Sequence, residues 1–178
     1  TAQLAVQAAL TGHLVLSTIH TNDAVGVIPR LIDMGVDPYL IAPTLILAIA
    51  QRLVRTLCPG AGVPMPIEGS IREVIEREFA DLPDEYRKKI PKGTQVYKIQ
   101  PTPECPKGTR GRTAVFEVLT MNKELETAIL KNAPVTELYT VARRQGMLTM
   151  KEDAILKAYE RIIPIEEIST LGGEAFDE

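Results

Sequence analysis

The chain contains two histidines, and both lie in one stretch, TGHLVLSTIHTNDA at residues 11–24. Imidazole titrates near neutrality, so it can ligate a metal, carry a proton or donate a hydrogen bond to a phosphate oxygen. His13 and His20 frame the apolar run LVLSTI (14–19), which reads as a short buried strand. If that run is extended at about 3.3 Å per residue, the two rings stand roughly 23 Å apart. They cannot share one metal ion, which would need both nitrogens within about 2.1 Å. His20 falls at the carboxyl end of the strand, where α/β sheets bind ligands, and is followed by Thr21, Asn22 and Asp23. There an imidazole could meet a phosphate oxygen while the start of the next helix adds amides and a favourable dipole. Spacing alone leaves a second reading open, in which Thr21–Asp23 merely cap a helix and His20 sits half exposed on a loop. His13, directly after Gly12, reads equally as an ordinary edge histidine.

The elements that must position these residues follow from periodicity and punctuation. Residues 1–11 favour a helix that Gly12 stops. A helical pattern runs from Thr21 to Met34, with Pro29 kinking it or starting a second helix inside it, and Gly35 as its stop. VDPYLIAPTLILAIA (36–50) predicts one buried helix capped by Asp37 with Pro38 in its first turn. QRLVRTLC (51–58) reads as a strand carrying Arg52 and Arg55. At CPGAGVPMP the pattern breaks into an inserted module reaching to about Arg112. Within it, Ser70 and Glu73 read as a capping box for a helix through Phe79, and TQVYKIQ (94–100) alternates as a strand. RTAVFEVLT then returns to the main fold. Short helices follow, opened by Asn122, by Pro134 with Thr136, and by a second capping box at Thr149 and Glu152; Gly146 ends one and Pro164 starts a last turn. The acidic EAFDE end reads as a frayed tail.

Composition narrows the function classes. Twenty basic against 23 acidic residues give a net charge of -3, which supplies no field for a phosphate backbone, so direct nucleic-acid binding is not expected. Aromatics make up 4% and Trp is absent, which argues against a base-stacking surface. Two cysteines are too few for a secreted disulfide scaffold and suit a reducing, cytoplasmic setting. The longest apolar stretch, 40–50, falls short of the roughly 20 residues a membrane span needs. The chain opens without Met, as an amphipathic helix already under way, so it is expected to be the back half of something longer.

The uninterrupted run TAQLAVQAALTGHLVLSTIHTNDAVGVIPRLIDMGVDPYLIAPTLILAIAQRLVRTLCP resembles the secretion ATPases, the hexameric motors of type II secretion and type IV pilus assembly. GHLVLSTIHTNDA is similar to their histidine box. The resemblance continues through GRTAVFEVLT and RRQGMLTMKEDAILKAYERI, leaving out only about 62–100. It implies an α/β fold: the C-terminal part of a RecA-like P-loop NTPase core with an inserted module and a helical C-terminal subdomain. The corresponding boundaries are core 1–57, insertion 58–111, return strand 112–121, helical subdomain 122–173 and a disordered tail 174–178.

The resemblance also implies ATP and Mg2+ as cofactors of the full-length protein, a homo-hexamer, an inner-membrane platform protein as partner and a cytoplasmic, membrane-peripheral location. By the same resemblance His20 is the phosphate sensor and His13 an orienting or interface member of the histidine box. Thr21 and Arg52 are further candidates for nucleotide contact; Arg30 also matches a family position without an assigned role. No G-x-x-x-x-G-K-[ST] occurs in the 178 residues, so the phosphate loop and Walker B acid are expected upstream, and this piece alone is not expected to hydrolyse ATP. The rival expectation is a non-catalytic assembly module that has lost its nucleotide-binding half.

Members of the pilus-assembly branch often hold zinc between two C-x-x-C knuckles in such an insertion. Here the first reads Cys58-Pro59-Gly60-Ala61. The second reads Cys105-Pro106-Lys107-Gly108, unless Thr102 replaces its first ligand and Cys105 is its later member. Two thiols are half of a structural zinc site, so Cys58 and Cys105 are expected to be remnants without metal. A disulfide would need their Cα atoms within about 7 Å, and a cytosolic setting disfavours it.

Overall fold

The computed structural model describes residues 1–172, so the tail expected at 174–178 lies outside the described residues. The chain forms two compact units, one from residues 1–50 and 117–147, the other from residues 51–116 and Leu148 onward.

In the first unit, α1 (Ala2–Leu10) ends at Thr11, and Gly12 turns the chain at φ +94°, a conformation open to glycine. The strand expected at 14–19 is not formed: residues 13–20 carry no regular secondary structure. A strand exists only through ladder hydrogen bonds to a neighbour, and neither sheet among the described residues includes this segment. Nor is the run buried, since Leu14 and Leu16 are 81% and 89% exposed. Helix α2 (Val27–Asp33) holds Pro29 in its first turn, where no amide is required.

Asp37 caps α3 (Pro38–Thr44) by accepting from the Tyr39 amide at 2.9 Å. The helix expected to reach residue 50 stops here. Pro43 has no amide for the carbonyl four residues back, and the chain re-forms as β1 (Leu47–Leu57). In β1 burial alternates at first, with Ala48 and Ala50 inward and Leu47 and Ile49 outward. Its sheet partner is β4 (Thr109–Thr120), and Met121 donates to the Ile46 carbonyl at 3.0 Å just past the strand ends. Asn122 caps α6 (Lys123–Leu130) through the Leu125 amide, and α7 (Val135–Arg144) follows Pro134 and is closed off by Gly146 at φ +87°.

The second unit pairs β2 (Val63–Pro66) antiparallel with β3 (Gln95–Lys98), Val63 opposite Lys98 and Pro66 opposite Gln95. Between them lie α4 (Gly69–Glu78) and the short α5 (Asp84–Arg87). The capping box expected at Ser70 is corrected: Glu68 is the residue before the helix, and Gly69, at φ +52°, is already its first position. Ser70 is thereby the second position of the helix, two residues past the place where it could cap. The box at Thr149 and Glu152 does open α8 (Met150–Tyr159), with both reciprocal bonds formed, at 3.2 and 2.7 Å. Pro164 leads into α9 (Glu166–Ser169). The core of this unit gathers Ile71 and Ile75 of α4 and Phe79 just past its end with Val96, Ile155 and Ile163. Among the described residues no helix is long and apolar enough to cross a membrane.

Candidate functional site

In the first unit the stretch 11–26 is organised from both ends. At its start, His13 Nδ1 lies 3.1 Å from Thr11 Oγ1 and 3.3 Å from the Ala8 carbonyl, which ties the ring to the open C-terminal end of α1. At its end, three hydrogen bonds shape the turn after His20. Thr21 Oγ1 donates to the Asp23 carbonyl at 2.9 Å, the Gly26 amide donates to Asp23 Oδ1 at 2.7 Å, and the Ala24 amide donates to Glu117 Oε1 at 2.8 Å. None of the three uses the His20 ring, which is exposed. Space at Gly26 is tight: a Cβ there would sit 3.0 Å from Asp23 Oδ1.

These bonds correct one expectation. The start of the next helix does not offer a cradle of amides to an anion, because α2 begins only at Val27, after the Ala24 and Gly26 amides have been taken by Glu117 and Asp23. The Asp23 carboxylate, already seated on the Gly26 amide, would moreover repel a phosphate there. What the segment presents is a single imidazole. That suits one hydrogen bond to a terminal phosphate oxygen, with the Thr21 hydroxyl proton already engaged.

Of the other candidates, Arg30 is exposed on α2 in the first unit. Arg52, Arg55, Cys58 and Cys105 belong to the second unit. Arg52 is exposed on β1. Arg55 is structural: its Nε and its backbone amide each donate to the buried Glu167 at 2.7 Å. Cys58 and Cys105 are joined as a disulfide with Cα atoms 6.6 Å apart, within the reach such a bond needs and against the expectation that a cytosolic setting disfavours it. Chain geometry brings this about. The Cys58 amide donates to the Gly108 carbonyl at 3.2 Å, and a tight turn from Thr102 to Cys105, bonded both ways at 3.0 Å, delivers the second sulfur. Among the described residues no group of three or more His, Cys, Asp or Glu side chains is placed to hold a metal.

Glu117 is the residue the sequence reading passed over. It is 4% exposed on β4, between Val115 and Leu119, both fully buried, while Phe116 and Val118 face outward. The signal was present in VFEVL: period-two alternation puts the carboxylate on the same inward face as Val115 and Leu119, and a buried charge needs partners.

Each unit also holds a cavity. One of about 390 Å3 in the first unit is lined by His13, Leu14, Leu16, Leu31 and Ile41. Another of about 740 Å3 in the second unit is lined by Arg72, Ile75, Phe79, Lys92 and Tyr159.

Comparison with known proteins adds a family context. Residues 1–170 match the family model described as Type II/IV secretion system protein. A type II secretion system protein E of Xanthomonas campestris is 41% identical over 168 residues, 94% of this chain and 28% of that protein. The type IV pilus assembly ATPase PilB of Thermus thermophilus is 37% identical over 169 residues, 94% of this chain and 18% of that protein. The chain thus spans less than a third of the length of these relatives. Among solved structures, the pilus retraction motor PilT with bound ADP superimposes at a TM-score of 0.58 with 20% identity, covering 97% of this chain and 36% of that one. The ATPase DotB of Legionella pneumophila does so at 0.54 with 23% identity, covering 96% and 35%. The fold shared with these two structures is α/β.

Proposed function

The chain belongs to the type II/IV secretion system protein family, and from that membership we propose that it is the C-terminal portion of a hexameric ATPase that powers type II secretion or type IV pilus assembly. In this reading ATP and Mg2+ are held by a phosphate loop and an acidic Walker B segment outside residues 1–178, and the bound nucleotide supplies the phosphoryl bond whose cleavage drives the motor. The residues of this chain read the state of that bond. His20 donates a hydrogen bond to a terminal phosphate oxygen. His13, tethered to the end of α1, orients the segment between them or meets a neighbouring subunit. Thr21 and the exposed Arg52 are secondary candidates for nucleotide contact. The chain alone, without the phosphate loop, does not hydrolyse ATP. The assembled ring works on an inner-membrane platform protein from the cytoplasmic side.

The observation that supports this reading most directly is the placement of His20. Its ring is exposed, outside the hydrogen bonds that organise the turn, and next to a turn anchored at Ala24. The test is His20→Ala in the full-length protein, assayed for ATP turnover at saturating nucleotide. Loss of a donor aimed at developing phosphate charge lowers turnover on the order of 10²-fold, with thermal unfolding little changed because the residue is exposed. Turnover equal to the parent across a saturating ATP series overturns the assignment.

A further inference from the structure

On the premise that His20 senses phosphate, we infer that Glu117 is its positioning residue, acting through the bond between its carboxyl oxygen and the Ala24 amide. The residues that bond joins are 93 positions apart, and both lie in the first unit. The other two bonds in the turn are local, Thr21 to Asp23 and Asp23 to Gly26. Local bonds fix the internal shape of the turn and leave its orientation on the unit open. The Glu117 bond fixes that orientation, because it runs from the turn to a strand.

Burial makes the bond obligatory. Ala24 is 0% exposed and Val25 1%, so water cannot replace Glu117 as acceptor for the Ala24 amide. Packing of Val25 and Ile28, each 1% exposed, holds the apolar side of the segment, and the hydrogen bond sets its rotation. Four chain steps separate Ala24 from His20. At no more than about 3.6 Å each, the His20 Cα stays within roughly 14 Å of the pinned amide, and the two local bonds remove much of the freedom that remains. A small rotation at Ala24 therefore displaces His20, where hydrogen-bond geometry to a phosphate tolerates little displacement.

The experiment uses the full-length protein with His20→Ala, Glu117→Ala, Glu117→Gln and Glu117→Asp, singly and with each Glu117 variant combined with His20→Ala. It measures kcat and KM for ATP together with thermal unfolding. Misplacement of about 1 Å costs up to roughly 100-fold, so Glu117→Ala is expected to lower kcat between about 10-fold and 100-fold with KM little changed. Glu117→Gln retains an oxygen at the same reach and recovers most of the loss. Glu117→Asp keeps the charge and the buried volume nearly intact but withdraws the oxygen by one carbon, and falls with Ala; it serves as the decisive variant if Glu117→Ala fails to fold. In the His20→Ala background none of the three lowers kcat further.

Equal fold-losses in both backgrounds would overturn the positioning role while leaving the sensor in place. Parent-like kcat in Glu117→Asp beside a depressed His20→Ala would do the same. Parent-like kcat in His20→Ala overturns the sensor, and the positioning role with it.

Discussion

Tyr159 shows how one side chain can set a pH limit for a unit. It is the last residue of α8, half-buried, and its ring is seated so closely against the backbone of Gly93 that a Cβ there would come within 2.3 Å of Cδ1. Burial raises its hydroxyl pKa above the ordinary value, because the phenolate loses solvation that the neutral phenol does not need. The unfolded chain gives up this proton near pH 10, whereas the folded chain keeps it to higher pH. Across that window the unfolded state binds fewer protons than the folded state, so stability falls as pH rises. Below pH 10 both states are protonated and the contribution is fully present. Tyr159→Phe removes the ionisation and keeps the ring. Denaturant unfolding from about pH 9 to about pH 11 should show the variant gaining on the parent as pH climbs, and parallel stability curves for the two proteins would refute the linkage.

Among the elements, the insertion is held by a bond the composition argued against. The Cys58–Cys105 disulfide spans a sequence separation of 47 and closes the chain carrying β2, α4, α5 and β3 into one loop. By loop-closure entropy such a crosslink stabilises by about 4 kcal/mol. Reduction, or Cys58→Ser, is therefore expected to lower the unfolding free energy of the protein by about that amount, read as a shift in urea midpoint with and without reductant. Coincident urea curves would show that the bond carries no stability.

Which elements could be read from letters alone depended on whether their determinants were local. Asn122 and the Thr149–Glu152 box announced α6 and α8 because caps act within one turn of the chain. β1 was hidden because LILAIA is uniformly aliphatic, and helix and strand bury such a run equally well; the deciding feature was Pro43. Ser70 misled because its motif ignores a backbone that turns at Gly69 first. At the candidate site, residue type singled out the two histidines, while the spacing estimate assumed a strand that is not formed. Glu117 is joined to the turn across 93 positions, a contact that periodicity could flag on the strand side but not connect to Ala24. The segment 14–19 had the composition of a strand and, among the described residues, lacked the neighbour that would make it one.

That missing neighbour is a property of the whole molecule rather than of the segment. Leu14 and Leu16 are mostly exposed, and a cavity of about 390 Å3 lies between them, α1 and Ile41. Apolar side chains and open backbone groups in one stretch are what an edge strand presents when its partner is elsewhere. If the chain is a portion of a longer ATPase, the upstream part supplies that partner, and the backbone amides of 14–19 become ladder donors. Amide hydrogen exchange reads this directly. In the chain of residues 1–178 these amides are expected to exchange with an opening free energy of about 0 kcal/mol. The amides of α8, in the core of the second unit, should exchange far more slowly under the same conditions. In the full-length protein the 14–19 amides should slow to the rates of core strands. Slow exchange already present in the 178-residue chain would mean that the segment finds a partner within it or in a second copy. Fast exchange in both proteins would mean that the histidine box is a loop in its working state, and that His20 is held by the Glu117 anchor alone.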